Sequence, residues 1–128
     1  MKILGIDYGK SKVGLSLADG PLAEPLKVIR YKDPGILRQG IERVIKEERI
    51  DKVIVGVSEG KMGEESKKFG LTLSKRSGIT VETFDETLTS QDAQRMSVEA
   101  GVSRKKRRKM EDAYAATIML QNYLDSQS

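Results

Sequence analysis

With no histidine and no cysteine among its 128 residues, this chain must draw any chemistry chiefly from its nineteen acidic side chains and its lysines and hydroxyls. The commonest general base and the commonest transition-metal ligands are missing. A metal, if used, has to be held by oxygen, which favours magnesium, manganese or calcium over zinc or copper. Three acids stand out by position. Asp7 ends the apolar run Leu4-Gly5-Ile6 and opens a short turn at Gly9, the kind of strand end where open α/β sheets carry their sites. Glu86, beside Asp85, occupies the corresponding place after "ITVETF". Asp112 is the odd one. At about 100° per residue it falls within the apolar arc of the C-terminal helix, between Met119 and Tyr123, whereas Glu111, Asn122 and Asp125 point to the polar side.

Each acid also has an ordinary role to weigh. Asp7 is a favoured turn residue, Glu86 would suit the N-terminus of a following helix, and Asp112 could pair with a lysine of the opening turn, since a charge near a core edge needs a partner. If the opening hairpin and the fifth strand are neighbours, and the last helix packs across their ends, the three carboxylates converge. Their mutual repulsion would raise their pKa values unless a divalent cation sat among them. Two such metals about 4 Å apart can activate a water and stabilise the leaving oxygen of a phosphodiester without histidine.

The elements that must position these acids follow from periodicity. Residues 2–8 read as a buried strand and 12–18 as a half-buried one, forming a hairpin; "LKVIRY" (26–31) gives a third strand after a loop. Asp33-Pro34 starts a helix with Leu37, Ile41, Val44 and Ile45 inward. Residues 51–58 make a central strand reached by a parallel crossover. Residues 64–77 make a helix with Phe69 and Leu73 inward, stopped by Gly78, and 79–84 a fifth strand. Thr89, with Asp92 three residues on, caps a helix that buries Ala93, Met96 and Ala100 and ends at Gly101. Ser103 caps the last helix, which buries Met110, Ala113, Thr117, Leu120 and Leu124 and runs to about Asp125. The order β-β-β-α-β-α-β-α-α predicts an α/β layered domain with mixed strand directions, and residues 1–128 suit a single domain, since domains typically hold about 100–150 residues.

Charge is distributed unevenly. The chain is formally +4, yet "RKKRRK" at 104–109 alone holds six cations, so the remainder is slightly acidic. That block opposes the dipole at its helix N-terminus, which makes it poor stabilising chemistry. It begins on the helix that carries Asp112. Arg104, Lys105, Lys106, Arg107, Arg108 and Lys109, with Lys10 and Lys12 of the opening turn, are therefore candidate phosphate contacts, which position a nucleic acid without reading its sequence. Two phenylalanines, four tyrosines and no tryptophan argue against extensive base stacking. No run approaches a membrane span or a signal peptide, so a cytoplasmic protein with no membrane partner is expected.

Three segments, "GIDYGKSKVGLSLAD", "VETFDETLTSQDA" and "EAGVSRKKRRKMEDAYAATIMLQNYLD", together resemble the YqgF (RuvX) family of Holliday junction resolvase-like nucleases, nearly end to end. The resemblance implies a ribonuclease H-like fold with a central mixed five-stranded sheet flanked by helices. It also implies a Mg²⁺- or Mn²⁺-dependent nuclease that matures the 5′ end of precursor 16S ribosomal RNA, with Asp7, Glu86 and Asp112 as its metal-binding catalytic acids. The chain departs from the family at Ser11 and Lys12, where a Lys-Arg pair is usual, at Thr87, where arginine is usual, and at Ser58, where proline is usual. Lost arginines remove planar bidentate phosphate donors.

Three functions compete on these grounds. The first is a metal-dependent endonuclease acting on structured RNA or on branched DNA as a Holliday junction resolvase, the latter expected to work as a homodimer because a junction needs two symmetric cuts. The second is a noncatalytic nucleic-acid-binding module that keeps the fold. The third is a phosphotransferase, because an Asp-x-Gly hairpin also begins the actin and sugar-kinase ATPases, although those close two lobes around a nucleotide.

Overall fold

The computed structural model describes residues 1–85 and 104–127. Five strands, β1 (Lys2–Tyr8), β2 (Lys12–Asp19), β3 (Ala23–Arg30), β4 (Lys52–Val57) and β5 (Thr80–Asp85), form one sheet in the order β3-β2-β1-β4-β5. The β1-β2 and β2-β3 pairs are antiparallel; β1-β4 and β4-β5 are parallel. Helices α1 (Pro34–Glu47) and α2 (Lys61–Ser77) lie on one face and α3 (Arg104–Ser126) on the other.

Strand alternation sorts the side chains between the two layers. Leu4 and Ile6 of β1, Val13 and Leu15 of β2, and Val53 and Val55 of β4 meet Leu37, Ile41 and Val44 of α1 and Phe69 and Leu73 of α2. Their opposite-facing neighbours Ile3, Ala18 and Ile54 meet Met119, Leu120 and Tyr123 of α3. Asp7, two residues beyond Gly5 and four beyond Ile3, belongs to the α3 face.

The sheet order corrects one sequence expectation. The hairpin and the fifth strand are not neighbours, because β4 lies between them. α3 does not cross strand ends but lies along the face, packed on β2, β3 and β1. Two boundaries also move. β3 starts at Ala23, three residues early, because Gln121 of α3 accepts from the Ala23 amide at 2.9 Å and donates to the Pro21 carbonyl at 2.9 Å. Pro25 is accommodated there since β3 is an edge strand and the register shifts opposite it, between Leu15 and Ser16. α2 begins at Lys61, not residue 64, because Gly60 (φ 80°) turns the chain directly out of the short Ser58–Gly60 link.

Other expectations hold. Asp33 caps α1 by accepting from the Gly35 amide at 2.9 Å, with Pro34 in the first turn. Gly78 (φ 74°) ends α2 in the left-handed conformation. The helix expected between Thr89 and Gly101, and the Ser103 cap, lie outside the described residues. No helix among the described residues is long and apolar enough to cross a membrane.

Candidate active site

The site is built where α3 touches the sheet most closely. A Cβ on Gly14 would stand 1.8 Å from the Asp112 carbonyl oxygen and 2.8 Å from the Ala113 nitrogen, so only glycine lets the helix backbone lie on β2. One turn along, Ser16 Oγ donates to the Ala116 carbonyl at 2.9 Å in a fully buried bond. A further turn along, a Cβ on Gly5 would come within 3.0 Å of Leu120 Cβ. Asp112, Ala116 and Leu120 recur every four residues and so form one sheet-facing stripe. That is why a carboxylate sits on the inward arc of an otherwise apolar face.

Asp7 enters from the other side of the same contact. It pairs in register with Gly14 of β2 and with Gly56 of β4. Residues in register project from the same face, so the Asp7 side chain stands between two positions that carry none. Gly14 is at once the register partner of Asp7 and the seat of Asp112. The fold thus brings acids from the first strand and the last helix to either side of one glycine, on one face of the sheet.

Lys12 joins them. Its Nζ lies 3.1 Å from Asp112 Oδ2, the two side chains being 39% and 27% exposed. The lysine pairing weighed from the sequence for Asp112 is therefore present, and Lys12 directs its charge to a carboxylate. Lys10 is exposed at the turn. The backbone of Arg104–Lys109 forms the first turns of α3, leading toward Asp112; the side chains of this block, like Glu86 and Thr87, lie outside the described residues. Among the described residues no group of three acidic side chains is close enough to hold a metal ion. The donors present, two carboxylates on one face, suit a hard divalent cation held by oxygen.

Two supports were not visible in the sequence. The Tyr31 hydroxyl donates to the Gly9 carbonyl, and the Tyr31 amide donates to the Ser11 carbonyl at 3.0 Å, so the opening turn is tied to the end of β3. Burial, then the hydrogen bond with Tyr8, pushes the Tyr31 hydroxyl well above the ordinary tyrosine pKa, keeping it protonated and donating. Tyr8 in turn packs on Phe69, with ring centroids 4.8 Å apart. At the far end of α3, the Tyr123 hydroxyl donates to Glu82 Oε2 at 2.9 Å and accepts from Lys52 Nζ at 2.7 Å, while Lys52 pairs with Glu82 Oε1 at 2.8 Å. The Glu82 bond first, and Tyr123 next, raise the Lys52 pKa; Lys52 first, and Tyr123 next, lower that of Glu82.

Comparison with known proteins gives this arrangement a family. The chain is 38% identical to a protein of Agathobacter rectalis over 98% of its own length and 95% of the relative's. It is 40% identical to one of Leuconostoc mesenteroides over 98% and 96%. Both carry the provisional name pre-16S rRNA nuclease. Among solved structures, RuvC of T. thermophilus in complex with a Holliday junction substrate superposes with a TM-score of 0.66 at 17% identity, covering 100% of this chain and 97% of that one. The fowlpox virus Holliday junction resolvase gives 0.69 at 12%, covering 100% of each. The fold is thus the ribonuclease H-like fold of those resolvases. A model of the family described as "RuvX: Holliday junction resolvase" matches residues 1–126, and the chain belongs to that family.

Proposed function

We propose that this protein is a cytoplasmic, divalent-metal-dependent endonuclease that hydrolyses phosphodiester bonds in structured nucleic acid, and that its substrate is the 5′ end of precursor 16S ribosomal RNA. The observation that carries the reading is the placement of Asp7 and Asp112 on either side of Gly14. The names of the full-length relatives supply the substrate. Asp7, Asp112 and, from the sequence, Glu86 would hold Mg²⁺ or Mn²⁺, which when bound supplies water activation and leaving-oxygen stabilisation.

The chain's own groups do the rest. The two carboxylates, fixed on a strand and a helix, would hold the cation in one place, and the phosphate with it. Lys12 balances the charge of Asp112. Arg104–Lys109 and Lys10 would hold the sugar-phosphate backbone from opposite sides of the carboxylates. Hydrolysis adds water across one P–O bond, leaving one fragment with a phosphate and the other with a hydroxyl.

A second reading, cleavage of four-way DNA, is favoured by the family description and by the junction-bound RuvC neighbour. A cleavage assay with Mn²⁺, comparing a precursor 16S RNA fragment with a synthetic Holliday junction, separates the two. We expect cut RNA and an intact junction. Cutting of the junction alone, by a protein whose solution mass is that of a dimer, would favour the resolvase. Chelator should abolish cleavage and leave binding intact; cleavage that persists in chelator would exclude the metal-dependent reading.

A further inference from the structure

On the α2 side of the opening turn, two adjoining concavities form a groove that the carboxylate site does not use. The first, about 230 Å³, is lined by Lys10, Lys61, Met62 and Glu65. The second, about 270 Å³, is lined by Tyr8, Arg38, Glu65, Lys68 and Phe69 among others, so Glu65 is common to both. Lys61, Glu65 and Lys68 recur at helical spacing and present one stripe of α2, the two lysines roughly 10 Å apart along the axis. Three lysines, and Arg38 with its own partner Glu42, thus face Glu65.

The position and chemistry of the groove say what it takes. Tyr8 follows Asp7 in β1, and Lys10 stands in the turn between Asp7 and Lys12, so the groove leads away from the carboxylates across the end of the sheet. Lys10, Lys61 and Lys68 are exposed and form no ion pair among the described residues. The Arg38 side chain is mostly buried, and its Nε stands 3.6 Å from Glu42 Oε1, an ion pair without a hydrogen bond. The half-buried Tyr8 ring also lines the groove and packs on the buried Phe69. A row of lysines, unpaired among the described residues, along a groove edged by the Tyr8 ring matches the regularly spaced phosphates of a nucleic-acid strand.

We propose that this groove is a second nucleic-acid track, in which Lys10, Lys61, Lys68 and Arg38 hold the phosphate backbone of the substrate strand beyond the cleavage position. It rests on the nuclease reading for its substrate, shares Lys10 with it, and adds Lys61, Lys68 and Arg38, which that reading does not contain. It is distinct from the basic start of α3, because it lies on the other side of the sheet.

The test is the salt dependence of binding, measured in chelator by fluorescence anisotropy with a short labelled single-stranded RNA. Removing two phosphate contacts in Lys61→Gln/Lys68→Gln should reduce the slope of log K against log salt by about 1.4, from about 0.7 per contact on single strands, with unchanged thermal stability. Arg43→Gln/Lys46→Gln, exposed on the outer stripe of α1, removes the same charge and should leave the slope at its wild-type value. Equal losses in the two variants would reduce the effect to net charge and overturn the track, as would a wild-type slope in the Lys61/Lys68 variant. Tighter, Lys61- and Lys68-dependent binding of poly-glutamate would assign the groove to an acidic peptide instead. A wild type that cleaves RNA while the groove variant keeps its slope overturns the track alone; a wild type that neither binds nor cleaves overturns the nuclease reading with it.

Discussion

Gly14 links the two acids more directly than any side chain does. Adding one methyl there would force α3 away from β2, because the obstacle is Asp112 and Ala113 backbone and not a movable side chain. Gly14→Ala should destabilise the fold by about 1–3 kcal/mol, the usual range for overpacking, and should lower activity by displacing Asp112. A urea midpoint equal to wild type would refute the close approach. Lys12 offers a gentler probe. Its pair with Asp112 is partly exposed, and such pairs are worth about 0.2–1 kcal/mol. Lys12→Gln should therefore tighten Mn²⁺ binding by at most about fivefold, since the metal no longer competes with an ammonium for Asp112; calorimetry showing weaker binding would mean that Lys12 orients the acid for the metal. Asp7 and Asp112 could be picked from the sequence because a strand end and a helix arc are periodic features. Gly14, Gly56 and Tyr31 could not, since their roles depend on which strands are neighbours and where α3 lands.

Among elements, α3 carries the site at one end and is secured at both. Gly14, Ser16 and Gly5 receive its near end and middle, and the Lys52–Glu82–Tyr123 cluster fastens its far end to β4 and β5. Tyr123→Phe removes both hydroxyl bonds of a buried ring whose partner Glu82 reaches the surface, and should cost about 0.5–1.5 kcal/mol. The same cluster makes a pH prediction. Glu82 titrates below its ordinary 4.5, so its stabilisation is present above that value and disappears as pH falls through the lowered pKa. Lys52 titrates above its ordinary 10.5, so its part is complete below that value and disappears as pH rises through the raised one. Glu82→Gln should therefore be less stable than wild type at neutral pH, and the gap should close in acid. A constant gap across pH 3 to 7 would show that the ion pair contributes nothing. All eight described elements follow from hydrophobic period and caps. The misplaced starts of β3 and α2 came from a Gln121 contact and a Gly60 turn, one long-range and the other a loop shorter than its composition suggested.

The whole molecule arranges opposite charges around one end of a sheet. Asp7 and Asp112 lie on the α3 face, the backbone of the first turns of α3 leads toward them, and Lys10 and Lys61 border the groove on the other face. Under the proposed function the acids would repel a phosphate backbone without the metal, and the neighbouring cations would hold it there. The sheet order was not readable from the chain, because alternation shows which residues are strands and not which strands pair. The central claim is that Asp7 and Asp112 act together at one hydrolytic centre, and single-turnover cleavage of a precursor 16S RNA fragment with Mn²⁺ tests it most directly. Asp7→Asn and Asp112→Asn should each lower the rate by more than about 100-fold, beyond the 10–100-fold typical of groups that only support a ligand, while RNA affinity in chelator is retained. Wild-type cleavage by either variant would contradict the account.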